Sequence, residues 1–385
     1  MRSLGMVAVA TVAVAGIAGA GVHPRELPLS AQRALVIGNS TVVVTDTKQP
    51  APVGCNGTVM IDERVVVGDV HARGAVRARL LSNVMGDIVV TDGVAQLANQ
   101  VHVRGNLTAE QAVIVGTGSQ IDGDVTSTRG SVRIGRLAVV RGDVSAGGEF
   151  RGERDVKVGS PGSIMALRGG GQMRDRSEYF GDVLYEGTLK FVGAKRPKMH
   201  GDVLAMPRGT LPQPDLESWA LDVVPWRRVA SGGSDRRIAK VPGGTTLAPG
   251  AYGDVTVDQE STFVLGAGEY AFDSLTTSSD TTMIVDLGSG AGTLTIMVRG
   301  DASFGRRFRM VVRGGGEGAP AARILIRAGV GIRADQDTIL HGTLLADGAV
   351  DLGKHTRLTG AAWSRGTVAV GRDSEVVWVP SSLVD

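Results

Sequence analysis

Between Val67 and Val255 a glycine followed by Asp or Asn and then an aliphatic residue occurs eight times. The copies are Gly68-Asp69-Val70, Gly86-Asp87-Ile88, Gly105-Asn106-Leu107, Gly123-Asp124-Val125, Gly142-Asp143-Val144, Gly181-Asp182-Val183, Gly201-Asp202-Val203 and Gly253-Asp254-Val255. The first five glycines are 18, 19, 18 and 19 residues apart. Gly162-Ser163-Ile164 divides the next interval of 39 into 20 and 19. A fixed period near 19 carrying short apolar runs predicts a coiled sheet in which each turn stacks on the last. The fold class expected is all-β, a right-handed parallel β-helix (β-solenoid).

Alternation within a turn gives the direction of the side chains. In Val66-x-Gly68-x-Val70, Val101-x-Val103-x-Gly105-x-Leu107 and Val140-x-Gly142-x-Val144 every second residue is small or aliphatic. Alternate side chains of a strand face opposite ways. Gly and Val are therefore expected inside the coil and Asp outside. A glycine at that place would let the strand turn sharply at a corner. The scarcity of aromatic residues, 4%, and the count of 56 glycines suit a narrow aliphatic interior with many tight corners.

The period sets the organisation. Residues 1–20 read as a signal peptide: Arg2, an apolar run from Leu4 to Ala18, and the small-x-small site Ala18-Gly19-Ala20. The alternatives for that run are a weak membrane anchor or a buried strand. Residues 21–56 form lead-in strands, with Ala34–Gly38 and Thr41–Thr45 as candidates. A first β-helix module covers 57–206. Residues 207–245 are a junction with clustered prolines and a short helix over Asp215–Leu221. A second module covers 246–385, where Gly342 and Gly360, Val350 and Val368, and Gly353 and Gly371 recur at 18. The repeat corners are expected at Gly68, Gly86, Gly105, Gly123, Gly142, Gly162, Gly181, Gly201, Gly253, Gly342 and Gly360.

Charge is balanced at net +2, and no dense Lys/Arg stripe appears, so nucleic acid is not an expected partner. Cys55 stands alone, which excludes an internal disulfide; it is either buried and inert or a link between chains. No phosphate loop, nucleophile elbow or metal-ligand spacing of histidines is present, and no cofactor is expected. The histidines read as solvated side chains.

Asp69, Asp87, Asn106, Asp124 and Asp143 are expected to form an outward column at about one strand spacing, with the four carboxylates Asp69, Asp87, Asp124 and Asp143 in it. Such a column is a candidate for calcium, a hard cation that takes oxygen ligands. Self-capping corner formers account for the same residues. Polysaccharide chemistry would need carboxylates gathered with a base on one face, and Asp182, Asp202 and Glu186 with Lys190 or Arg196 are the candidates. Arg141-Gly142-Asp143 spells an adhesion tripeptide inside the repeat, where coincidence is the reading adopted.

The Val-x-Gly-Asp-Val and Gly-x-Val-x-Ile patterns at this period over 57–206 resemble the bactofilins, polymer-forming bacterial β-helix proteins. The second module, with Leu247-Ala248-Pro249-Gly250-Ala251-Tyr252-Gly253, is similar to β-helical modules of exported bacterial surface proteins. The resemblance implies a β-helix that polymerises end to end without a nucleotide. An export signal, a Pro-rich junction and a second module depart from the bactofilin pattern. The expectation is an exported structural rod at the cell surface, outside the cell or in the periplasm. It self-associates through its ends, with polysaccharide or the envelope surface as a candidate partner and no membrane span after signal removal. The alternatives are a polysaccharide lyase or hydrolase, and a non-catalytic module that binds carbohydrate or calcium.

Overall fold

The computed structural model describes residues 26–213, 216, 233–241, 243–289, 292–314 and 320–380. The signal segment, the helix expected at Asp215–Leu221, and Trp219 and Trp226 lie outside the described residues. Within them the chain is a parallel β-solenoid of about sixteen turns, with a 3-10 turn at Pro320–Arg323 and no α-helix.

Each turn has three flat faces. One turn runs through Val66–Val67 on the first face, Val70–Ala72 on the second and Ala75–Ala78 on the third, and Asn83–Val84 begins the next turn. Ladders join equivalent strands in strict parallel register, as in Val113↔Val132 and Ile114↔Arg133 on the third face. Strands of two to five residues suffice because every backbone bond runs along the axis to a neighbouring turn. The interior is a continuous column of apolar, mostly aliphatic side chains, Val76, Ala95, Val113, Val132 and Phe150 among them, none with measurable exposure. At about 25 cal/mol per Å² of apolar surface, such rows carry most of the folding energy. Each turn adds its share through contact with its two neighbours alone.

The order of the stack does not follow the order of the chain. The first described strand, Leu29–Ala31, pairs on one side with Val53–Cys55 and on the other with Ala362–Ser364. Ala34–Ile37 likewise pairs with Thr367–Val370, and Val42–Thr45 with Glu375–Trp378. The two repeat regions thus form one coaxial stack in which residues 236–378 precede residues 29–205. On the third face, sixteen strands run in unbroken order from Arg236–Ile238 to Thr188–Val192. Fifteen spacings of about 4.8 Å place those two terminal strands roughly 70 Å apart. From Leu29, in the middle of the rod, the chain therefore winds to one end, while Arg236–Ile238 lies at the other.

Three corner columns separate the faces. Two are rich in glycine, and the sequence motif samples both. Gly68, Gly86, Gly105, Gly123, Gly142, Gly181 and Gly201 stand at the corner between the first and second faces. Gly342 and Gly360 occupy the same corner inside the long strands Ile339–Ala346 and Arg357–Ser364. Gly253 belongs to the next corner, between the second and third faces, with Gly57, Gly74, Gly93 and Gly130. Gly162 is out of register by one: Ser163 takes the corner place beneath Gly181, while Gly162 adopts a φ of 89° with open space around it. The alternation also slips in the first copy. Val67, not Val66, is the buried residue, because this turn has one residue fewer before its glycine.

The third corner uses the left-handed backbone region with little help from glycine. Arg64, Leu81, Gln100, Leu137, Asp155 and Arg176 sit there with φ between 57° and 60°, and Gly118 takes the place between Gln100 and Leu137. The side chains at this corner turn outward, which is why Leu81 and Leu137 are exposed leucines. Buried hydroxyls close the corner from within. Ser119 Oγ donates to the Ala98 carbonyl at 2.9 Å and accepts from the Val101 N–H at 3.1 Å. Ser177 does the same with Glu153 and Val156 at 2.9 and 3.3 Å.

Candidate functional site

The stacked Asp and Asn side chains form a ladder with the backbone. Asp69 Oδ1 accepts the Asp87 N–H at 2.8 Å, and Asp87 Oδ1 accepts the Asn106 N–H at 2.6 Å. Asn106 Oδ1 accepts from Asp124 N at 2.8 Å, Asp124 Oδ1 from Asp143 N at 2.7 Å, and Asp143 Oδ1 from Ile164 N at 2.8 Å. Asp182 and Asp202 repeat the bond at 2.9 Å, as do Asp235 and Asp254 at the other corner. One oxygen of each side chain thus satisfies a donor that the corner would otherwise leave unpaired. A backbone N–H lies between successive carboxylates and offsets part of their repulsion. Among the described residues no group of three or more His, Cys, Asp or Glu is gathered as a metal cage.

The same ladder explains the glycine that precedes each acid. At Gly86, Gly105, Gly123 and Gly142 the position that a Cβ would occupy is taken by the Oδ1 of the Asp or Asn one turn earlier. The φ angles there are not left-handed. Close approach, not a special backbone angle, demands glycine at these four. The Arg141-Gly142-Asp143 tripeptide is consumed in this way. Asp143 holds Ile164, Gly142 admits Asp124, and Arg141 pairs with Asp122.

Of the polysaccharide candidates, Glu186, Lys190 and Asp182 line two shallow hollows near one end of the rod, and Asp202 and Arg196 line neither. Glu186 and Lys190 share a hollow of about 390 Å³ with Glu149, Gln172 and Arg208. Asp182 lies around the corner in another, with Ser163, Phe180 and His200. Burial opposes ionisation of Glu186. The N–H groups of Leu211, Gly209 and Thr210, with Arg168 nearby, nonetheless hold its carboxyl below the usual range. The bond from Leu211 N to Glu186 Oε1 is 2.6 Å long. Arg196 lies over the Phe191 ring, 6.0 Å from its centroid, and His200 stacks on Phe180 at 4.4 Å.

Of the described histidines, His71 is 8% exposed on the second face, so the expectation of a solvated side chain fails there. Burial lowers its pKa, against the pull of Asp69 and Asp87. His102 bonds Asp122 at 2.9 Å, and His355 bonds Asp337 at 3.0 Å with Asp373 at 3.6 Å. His341 is also depressed, by burial first and then by Arg357.

Cys55 is fully buried, and burial raises its thiol to about 11 although the backbone N–H groups of Gly57 and Leu35 pull the other way. At pH 8 its thiolate population is then about a hundredfold or more below that of a free cysteine. Native protein is expected to resist an aromatic disulfide reagent and to react fully in guanidinium. Prompt stoichiometric labelling of the native chain, or disulfide dimers on a non-reducing gel, contradicts this.

The sequence pattern missed the second glycine corner and the buried hydroxyls. A signal for the hydroxyls existed in the C-terminal repeats, where Thr356 and Ser374 stand 18 apart and Ser374 Oγ accepts the Thr356 N–H at 3.1 Å. No family model and no curated protein matches the chain. Among solved structures, the crystal structure of an ice binding protein from an Antarctic bacterium Flavobacteriaceae is similar over 94% of this chain and 98% of that one, at 11% identity and a TM-score of 0.29. A score so low carries no functional argument, and the β-solenoid rests on the ladders described above.

Proposed function

We propose that this chain is an exported, non-catalytic structural rod, a scaffold of the cell surface or extracellular space that engages its surroundings through its end and flat faces. The observation that carries the reading is the single sixteen-layer stack, whose ladder is continuous along its length among the described residues. The stacked carboxylates serve the fold through their bonds to backbone N–H groups. The resemblance of 57–206 to polymer-forming β-helix proteins, and the signal-like N-terminus, agree with an exported assembly element.

Electron microscopy of the purified chain in negative stain tests the reading. Straight rods about 70 Å long, inert toward a panel of soluble polysaccharides, are expected. A second reading, polysaccharide cleavage, is favoured by one observation: Glu149, Glu186, Lys190 and Arg208 line a common hollow. The depressed carboxyl of Glu186 is the wrong way round for a general acid, which needs a raised one. New reducing ends that disappear in both Glu149→Gln and Glu186→Gln would replace the scaffold reading with the enzymatic one.

A further inference from the structure

We propose that this chain exchanges halves with a second copy of itself: residues 236–378 of one molecule seat on residues 29–205 of the other. The inference goes beyond the scaffold reading and does not depend on it. On the third face the stack divides into seven strands from Arg236–Ile238 to Thr367–Val370 and nine from Ala34–Ile37 to Thr188–Val192. Both exceed the three or so turns that a repeat array needs to stand. The arrays meet strand on strand, Leu29–Ala31 on Ala362–Ser364, Ala34–Ile37 on Thr367–Val370 and Val42–Thr45 on Glu375–Trp378. Leu35, Val43, Val368 and Val376 are buried beneath that seam. Trp363 reaches Leu27 across 336 residues of chain. Partners so distant in sequence make the same contacts when they belong to two molecules.

The length of the connection between the halves favours the second copy. On one side the Leu211 N–H donates to Glu186 Oε1 at 2.6 Å, beside the terminal strand Thr188–Val192. On the other, the Ser234 carbonyl accepts the Gly253 N–H at 3.1 Å, just before the terminal strand Arg236–Ile238. Those two strands are roughly 70 Å apart. Arg208 shares a hollow with Glu149, so its segment folds back over about two layers and roughly 60–70 Å remain. Twenty-three residue steps, Leu211 to Ser234, have to cover that distance. Fully extended they reach about 80 Å, and a flexible chain of that length averages about 25–30 Å. Closing the seam within one chain therefore uses most of the available reach and lowers the effective concentration of one half at the other. A hinge segment held near its limit invites exchange. In a twofold pair of antiparallel rods each connection crosses the width of a rod instead of its length. The exchange closes as a dimer, since each copy gives and receives the same half.

The full chain, refolded from guanidinium at a series of concentrations and read by light scattering after gel filtration, supplies the test. The dimer fraction is expected to rise with concentration and to persist on dilution, because release requires opening a buried seam. Inserting twelve Gly/Ser residues between Gly232 and Gly233 adds about 40 Å of reach and should lower the dimer fraction severalfold. Removing residues 224–231 leaves a reach of about 54 Å at most, and this chain should fold without monomer. A mixed pair separates exchange from ordinary association. Val36 and Ala369 face each other across the seam and are partly exposed. When a Val36→Cys chain is unfolded and refolded together with an Ala369→Cys chain, a short bismaleimide should join the two. The same chains, folded apart at low concentration and then mixed, should not be joined, nor should wild-type chains, whose Cys55 is buried. Four results overturn the proposal: monomer alone on refolding up to about 1 mM, the range of a connection that fits its span; dimers without the mixed cross-link; a dimer fraction unchanged by the insertion; or a folded monomer of the shortened chain. Exchanged and unexchanged rods have the same length, so the microscope tests the scaffold reading separately.

Discussion

Replacing Gly142 with alanine is expected to destabilise the rod by about 2–4 kcal/mol, within the range for forced overpacking against backbone. A methyl at that position would stand 2.6 Å from the Gly123 carbonyl carbon and 2.7 Å from its oxygen, with Asp124 Oδ1 nearer still. Both neighbours belong to the turn beneath, and the backbone carbonyl cannot rotate aside. Relief therefore requires the two turns to separate, which stretches the Asp124–Asp143 bond and the Gly142 N–H bond to Gly123 at 3.2 Å. Gly266 supplies the control. It lies at the end of a strand of the same solenoid, with nothing within 4 Å of the added carbon and no left-handed φ. Gly266→Ala should be neutral or stabilising by up to about 1 kcal/mol, because the unfolded chain loses freedom. Guanidinium titration followed by circular dichroism compares the two. Equal midpoints would mean that the column does not pack as described. Adding Asp124→Ala to Gly142→Ala should recover only part of the loss, since the carbonyl of Gly123 remains.

This asymmetry between glycines also marks what could be read from the residues alone. The period, the coiled sheet, the strand that begins at Ala34, and the acid on the outer side of each corner follow from spacing and alternation. Those are local properties, repeated until they stand out. The reason for the glycine does not follow, because the group that excludes a side chain sits a full turn away in the chain. Gly253 has the same tripeptide as Gly142 yet lies at a different corner. Only the strand that follows it, Asp254–Val257 on the third face, tells the two apart. Of the enzyme candidates, the spacing placed Glu186 and Lys190 together, and they do share a hollow. It could not foresee Glu149 or Arg208 beside them, nor the corner that sets Asp182 apart.

The order of the stack was the least legible feature, since repeats of equal period do not say which turn lies on which. Its physical expression is the seam between Arg357–Trp378 and Leu29–Thr45, and Trp363 is expected to be the residue that holds it most. The indole is 1% exposed, clusters with Leu345 and Ala361, and donates its Nε1–H to the Leu27 carbonyl at 2.8 Å. Elsewhere the seam strands are joined by ladder bonds, the shared aliphatic interior and the exposed Lys48–Glu375 pair. Parallel pairs of three or four residues are weak when isolated, and an exposed ion pair adds little. Trp363→Ala should cost about 3–5 kcal/mol, the usual range for a buried aromatic. Trp363→Phe keeps most of the area but leaves the Leu27 carbonyl without its donor, for about 1–3 kcal/mol. In a one-dimensional stack the damage should be local. Hydrogen exchange should accelerate in residues 29–45 and 362–378 while Val101–Val158 stays protected. A uniform loss of protection along the rod would mean that the halves fold as one cooperative body and that the seam has no separate weakness. A loss confined to the seam would instead establish that two arrays, residues 236–378 and 29–205, meet at a joint whose strength one indole sets.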